Sequence, residues 1–488
     1  MNILLIVADE LDAQALGCAG HAFARTPHLD RLAREGTRFV NALTPSPLCV
    51  PARAALATGR WVHETRCWDN AIAYAGEPRG WAHVLRDDAG WRVESIGKLH
   101  YRDATCDSGF GVQHEPLHIA RGIGQVWGSV RDPLPEARRP SHLFDELGAG
   151  CSDYNRYDER VAECAQRWLE ARAQESGQPP WLLFVGFVAP HFPLVVPQTW
   201  LDGIDIDALP LARQHPSRGY RRHPWVQRHA DLSDADAELG SDARRRLALA
   251  CYLGLVAFLD HQVGRVLDTL ERTGLARDTL VIFTSDHGDN QGARGMWNKS
   301  TLYRESLNVP LLMRGPGVPA ARVCRTTTSL VDIAPTVLAH AGQSAPPDWP
   351  GSALQAIASQ PDDLDRIGFS EYHGVGSPSA GYAIWQGRWA YHHYVGYPPE
   401  LFDREADPEQ LYDLGADPAH AATRARLHAA LLDRVDPVAV DGCAKADQRA
   451  LVARFGGAQR ALTVGTPGAS PVPAADITAA TPPQQPGG

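Results

Sequence analysis

Three uninterrupted apolar runs constrain this chain most: residues 3–8 (ILLIVA), 181–188 (WLLFVGFV) and 279–284 (TLVIFT). A run without polar alternation reads as a strand buried on both faces, the signature of a parallel sheet covered by helices. Each run gives way to polar residues: Asp9-Glu10, His191 and Asp286-His287. In a parallel sheet the carboxyl ends of the strands share one edge, where open α/β sheets place their ligands, so these residues should converge.

The intervening sequence alternates helix and strand. Thr26 and Pro27 read as N-cap and first helical residue, Leu29, Leu32 and Ala33 as one face, and Gly36 as the stop. Helices are also expected at 79–88, 157–173, 241–272 and 331–341, the last tolerating Pro335 only in its first turn. Shorter strands are expected at 39–40, 91–96 and 309–313. Residues 105–150 read as a long loop and 197–240 as irregular.

Near residue 360 the pattern changes to aromatic strands, 382–385 and 388–394, joined by a Gln386-Gly387 turn, with a helix at 421–434. The expected architecture is α/β: a large mixed, mostly parallel sheet flanked by helices, plus a smaller C-terminal antiparallel sheet with a helix. Domains are expected at 1–360 (catalytic) and 361–462 (small α+β), followed by a tail, 463–488, that is disordered or bound by a partner subunit.

The stretch 47–60, PLCVPARAALATGR, carries the candidate chemistry. Pro51 suits a first helical turn, the alanines and Leu56 propagate the helix, and Gly59 ends it. Cys49 is thereby set at a helix N-terminus with Arg53 one turn on, a place where an anion is favoured. An isolated cysteine there could equally be a small buried hydrophobe.

Asp9, Glu10, Asp286 and His287 form an oxygen-rich set suited to a hard divalent cation, calcium or manganese. His287 alone could instead be a core histidine bonded to a carbonyl. A net charge of −10 argues against a general nucleic-acid binder. Nine cysteines without a CxxC pair suit a reducing compartment. No leader is evident and no window reaches the ~20 apolar residues of a membrane span, so a cytoplasmic protein without a membrane partner is expected.

Cys49-x-Pro51-x-Arg53, followed by Ala54-x-x-x-Thr58-Gly59-Arg60, resembles the signature of the sulfatase family in the alkaline-phosphatase superfamily. Further motifs fit in order over residues 1 to about 340: the acidic pair after the first strand, Gly97-Lys98-Leu99-His100, Pro190-His191-Phe192-Pro193, Ser285-Asp286-His287-Gly288 and the downstream Lys299. The Asp-His pair and the Trp68-Asp69-Asn70 turn are closest in kind to bacterial choline-sulfatase and phosphonate monoester hydrolase members. One departure is Glu10, where the family usually has Asp or Gln.

The resemblance implies that Cys49 is converted to formylglycine by a formylglycine-generating enzyme. One divalent cation would be held by Asp9, Glu10, Asp286, His287 and the modified Cys49. It implies that Arg53 steadies the aldehyde hydrate, that Lys98, Lys299 and His191 hold the ester oxygens or protonate the leaving alcohol, that His100 is the base, and that Asn70 touches the substrate anion. The expected activity is hydrolysis of sulfate esters through a covalent sulfo-enzyme intermediate. Phosphonate monoester or phosphodiester hydrolysis is the alternative, and a non-catalytic protein binding a sulfated ligand a second. A homo-oligomer acting on a small-molecule ester, without nucleic acid, completes the expectation.

Overall fold

The computed structural model describes residues 1–136, 141–175, 177–466, 468–473 and 478–480. Its main sheet contains β1 (Asn2–Asp9), β2 (Thr37–Phe39), β3 (Arg92–Lys98), β4 (Val112–Leu117), β5 (Trp181–Pro190), β6 (Thr279–Ser285), β7 (Leu311–Arg314) and β8 (Arg322–Cys324), in the order β8-β2-β7-β6-β1-β5-β3-β4. The central run β6-β1-β5-β3 is parallel throughout. Four strands therefore deliver their carboxyl ends side by side.

Burial explains why these strands read as unbroken apolar runs. Leu4, Ile6 and Ala8 of β1 enter one core with Val161 and Leu169 of α3 (Asp153–Gln174) and Leu255 and Phe258 of α4 (Asp242–Arg272). Ile3, Leu5 and Val7 enter a second core with Ala54 and Leu56 of α2 (Cys49–Thr58) and Val337 and Leu338 of α5 (Ile333–His340). Successive side chains alternate between the faces, and both faces are covered. The helix Pro27–Glu35, α1, lies at the expected place, with Leu29 and Leu32 buried. Pro335 is the third residue of α5, within its first turn.

Contrary to the expectation that no span-length apolar window exists, α4 is long and apolar enough to cross a membrane. However, 89% of that window is buried inside the protein, the position of a core helix. The supposed loop 105–150 contains β4, which pairs in parallel with β3. Its sequence, VQHEPL, carries polar residues and a proline suited to the flank of a sheet. Within 197–240 lies a helix, Pro224–Leu232, and α3 starts four residues earlier than expected because Ser152 caps it through Asn155.

The smaller sheet is antiparallel: β9 (Gly368–Tyr372), β10 (Gly381–Gln386), β11 (Trp389–Tyr394) and β12 (Glu400–Asp403), in chain order. Leu427 and Leu431 of α6 (Ala421–Leu432) pack on Phe369, Ile384 and Tyr391. A further helix, α7 (Pro437–Arg454), was not expected; Asp436 caps its first turn through Val438 and Ala439.

Of the tail expected to be disordered or bound by a partner, residues 463–466, 468–473 and 478–480 are described. Thr478–Ala480, β13, runs antiparallel to β4 and completes the far edge of the main sheet. Before it, Thr466 O accepts from Trp127 Nε1 at 3.2 Å and Gly468 O from Gln125 Nε2 at 2.6 Å. A segment held through its own carbonyls needs no large apolar side chains, which is why composition did not reveal it.

Candidate active site

Asp9 ends β1, Lys98 ends β3, Asp286 follows β6 and His191 follows β5, so the parallel register places their four functional groups around one point. Helix α2 points its first turn at the same point. Its N-cap, Leu48, offers no side-chain acceptor; Asn70 Oδ1 takes the Val50 N–H at 3.2 Å instead. Gly59 closes the helix at φ 67°, and a Cβ there would come within 2.8 Å of Ala334.

Cys49 Sγ lies 3.2 Å from His287 Nε2 and 3.8 Å from Asp9 Oδ1. His287 Nδ1 sits 3.0 Å from the Gly288 carbonyl, which can only accept, so Nε2 is left as the acceptor facing the sulfur. Arg53 bonds Asp286 Oδ2 at 2.7 Å through Nε and Asp9 Oδ2 at 3.2 Å through a terminal nitrogen; another donates to the Lys98 carbonyl at 2.9 Å. Lys98 Nζ pairs directly with Asp9 Oδ2. Lys299 Nζ donates to Glu10 Oε2 at 3.0 Å, and His191 Nε2 lies 3.6 Å from the same oxygen.

Every one of these groups is buried, at 6% exposure or less. Burial raises the Asp9 carboxyl, but Lys98, His191 and Arg53 together outweigh it and hold Asp9 well below its ordinary value. For Glu10 burial prevails over Lys299, with Asp289 adding to it, and its carboxyl is pushed up. Burial, aided by Asp9, raises the Cys49 thiol to about 11. Burial and then Lys98 draw His100 down; burial and then Lys299 do the same to His191.

The donor set fits a divalent cation. Four ligand atoms, one each from Asp9, Cys49, Asp286 and His287, lie within 4.8 Å of one another, and a second such set joins Asp9, Glu10 and His191. Glu10 thus stands in the second set rather than with Cys49. Its Oε1 is buried with no hydrogen-bond partner, and Glu10 adopts φ 70°.

His100, also at positive φ, has Nε2 3.0 Å from Ser470 Oγ, and its Nδ1 is buried without a partner. Asn70, besides capping α2, donates from Nδ2 to Gln125 Oε1 at 3.0 Å. Gln125 and Ser470 were not anticipated: one lies in the stretch read as loop, the other in the tail, and neither has a local sequence signal.

The sulfatase family model matches residues 1–343, and a model of the N-sulphoglucosamine sulphohydrolase C-terminal region matches 292–436. The chain is 31% identical over 454 residues to a choline-sulfatase of Rhizobium meliloti (strain 1021), covering 88% of this chain and 85% of that protein. It is 27% identical over 440 residues to arylsulfatase K of Bos taurus, covering 85% and 78%. The phosphonate monoester hydrolase from Silicibacter pomeroyi superposes with a TM-score of 0.69 at 25% identity, over 88% of this chain and 94% of that one.

The family model, the relatives and the fold together define a hydrolase of the alkaline-phosphatase type. The chain belongs to the sulfatase family of that superfamily and is a sulfuric ester hydrolase.

Proposed function

We propose that this protein hydrolyses sulfuric esters of small alcohols through a formylglycine made from Cys49, with one calcium or manganese ion. The observation that carries the reading is the position of residue 49. It occupies the first turn of a buried helix, its sulfur faces His287 and Asp9, and Arg53 on the same helix ties Asp9 to Asp286. A formylglycine-generating enzyme is the partner this requires. The nine cysteines are all unpaired, which supports a reducing, cytoplasmic setting.

As a hydrated aldehyde, residue 49 would supply a hydroxyl to attack sulfur and a second hydroxyl to release the product. Bound to Asp9, Cys49, Asp286 and His287, with Glu10 alongside, the cation would polarise an ester oxygen and lower the pKa of that hydroxyl. The side chains account for the rest. Arg53, Lys98 and Lys299 balance the charges of Asp9, Glu10 and Asp286, so adding a divalent cation makes the site net positive and receptive to a sulfate monoanion.

Lys98 and Lys299 both line the pocket, placed to hold ester oxygens as charge shifts onto them. His191 has Nδ1 fixed by the Phe192 carbonyl at 2.7 Å, which aims Nε2 into the site, where in its protonated form it would serve the leaving oxygen. His100 faces the same pocket from the β3 end and is assigned as base.

A second reading, phosphonate monoester hydrolysis, is favoured by the likeness to the Silicibacter pomeroyi enzyme. The two are separated by kcat/KM on a sulfate and a phosphonate ester of the same alcohol. The proposal predicts the larger value for the sulfate; a larger value for the phosphonate overturns it.

A further inference from the structure

We infer that the alcohol carried by the substrate ester is neutral and apolar, about the size of a single ring, and that the pocket discriminates against a cationic alcohol. The inference rests on the sulfatase reading of the site and extends it to the leaving group. The pocket that Cys49 lines has a volume of about 130 Å³, shared by the ester group and its alcohol. An apolar cavity of ~150 Å³ is enough to hold one benzene ring.

Its wall is formed by Trp127, Leu143, Phe192, Leu232, Met296 and Val375. Among the described residues that line it there is no aspartate or glutamate, while Lys98 and Lys299 both do. A positive group entering this space would find no carboxylate left to pair with it, because Asp9 and Glu10 are already paired with Lys98 and Lys299. Neighbouring carboxylates are already used. Asp69 accepts from Ala71 N at 2.9 Å, Ser129 Oγ at 2.6 Å and Gln448 Nε2 at 2.9 Å. Asp236 accepts from Trp297 Nε1 at 3.0 Å and from Arg245 at 2.9 and 2.6 Å, and His215 Nε2 lies 3.0 Å from it.

One ring of the aromatic wall already faces a cation. Phe192 is stacked on His191 at 4.2 Å, and the Lys299 ammonium lies 5.5 Å from its ring centre, so its exposed cation-binding capacity is already engaged. Trp297 is committed through its N–H to Asp236 and meets Phe144 edge-on at 5.3 Å. His229, which also lines the cavity, is neutral near pH 7 because burial draws its imidazole down to about 4. Beside uncharged polar residues such as Asn70, Gln125, Ser233 and Asn298, the larger share of the lining is apolar and rewards contact with hydrocarbon.

The test compares matured, metal-loaded enzyme on neohexyl sulfate and choline sulfate, which have the same shape and differ by one positive charge. The inference predicts kcat/KM at least about tenfold higher for neohexyl sulfate, and turnover of phenyl sulfate as well. Equal or higher kcat/KM for choline sulfate overturns the inference while leaving the sulfatase reading intact. Failure of all three sulfates, with turnover of the phenyl monoester of methylphosphonic acid, overturns both. The V375D variant supplies the missing counter-charge and is expected to narrow the gap between the isosteres; an unchanged ratio in folded V375D also counts against the inference.

Discussion

Asp9 and Glu371 are both buried at 0% exposure, and their surroundings treat them differently. Glu371 Oε1 accepts from the His63 backbone at 3.0 Å and meets His63 Nδ1 at 2.9 Å, while Oε2 meets His373 Nε2 at 2.8 Å. Both oxygens are filled by the fold itself. Asp9 has one oxygen against Arg53 and Lys98, whereas the other accepts only a long bond from the Cys49 thiol at 3.8 Å and stands 3.8 Å from His287 Nε2. Its neighbour Glu10 keeps an unpartnered oxygen. A buried charge set completed by folding serves stability; one left open on one side is prepared for a ligand.

The sharpest way to break this contrast is to exchange the effects of the two clusters. C49A should reduce kcat/KM by at least about a thousandfold, because it removes the residue around which the open set is arranged. Its melting temperature should barely move. E371Q should do the reverse, costing about 3 kcal/mol of stability by leaving its histidines inadequately paired, while the folded fraction keeps wild-type kcat. Thermal denaturation alongside kinetics checks both; a stable, inactive E371Q would erase the distinction.

The closed cluster also carries a pH signature. Burial alone raises the Glu371 carboxyl, but His63 and His373 overturn this and hold it down to about 2. Its stabilisation is therefore present above the unfolded value of about 4.3 and is lost as pH falls through the folded value. His63 is raised, Glu371 outweighing burial, so its contribution is full below about 6.5 and fades as pH rises through its folded value. Stability profiles of wild type and E371Q should differ most between about pH 4.5 and 6.5. Parallel profiles would remove the pair from the account.

A smaller effect is expected at the boundary between body and tail. Ser470 meets His100 at 3.0 Å, so S470A should lower kcat by about tenfold with little change in KM, and S470T should recover most of it. A change confined to KM would mean that the tail shapes the pocket without orienting His100.

What the sequence disclosed follows from how each part is held. β1, β5 and β6 were legible because burial on both faces leaves no polar position inside the strand, and the first polar residue after it is then conspicuous. Asp9, Glu10, His191, Asp286 and His287 were singled out as candidates this way. Lys98 and His100 end a less continuous strand and needed the motif around them. β4 was missed because Gln113, His114, Glu115 and Pro116 obscure its alternation. α7 was missed because its buried residues are few and partly polar, including Asp441 and Gln448. Gln125 and the tail are joined to the site by hydrogen bonds between distant segments, which no local pattern announces.

The central claim is that residue 49 acts as an aldehyde hydrate and not as a thiol. Its most direct test is the mass of the peptide spanning residues 39–53, from enzyme made with a formylglycine-generating enzyme and shown to be active. The account predicts a peptide that has lost the elements of hydrogen sulfide and gained one oxygen, in proportion to specific activity across preparations. Full activity on sulfate esters from protein whose Cys49 is entirely intact thiol would contradict it.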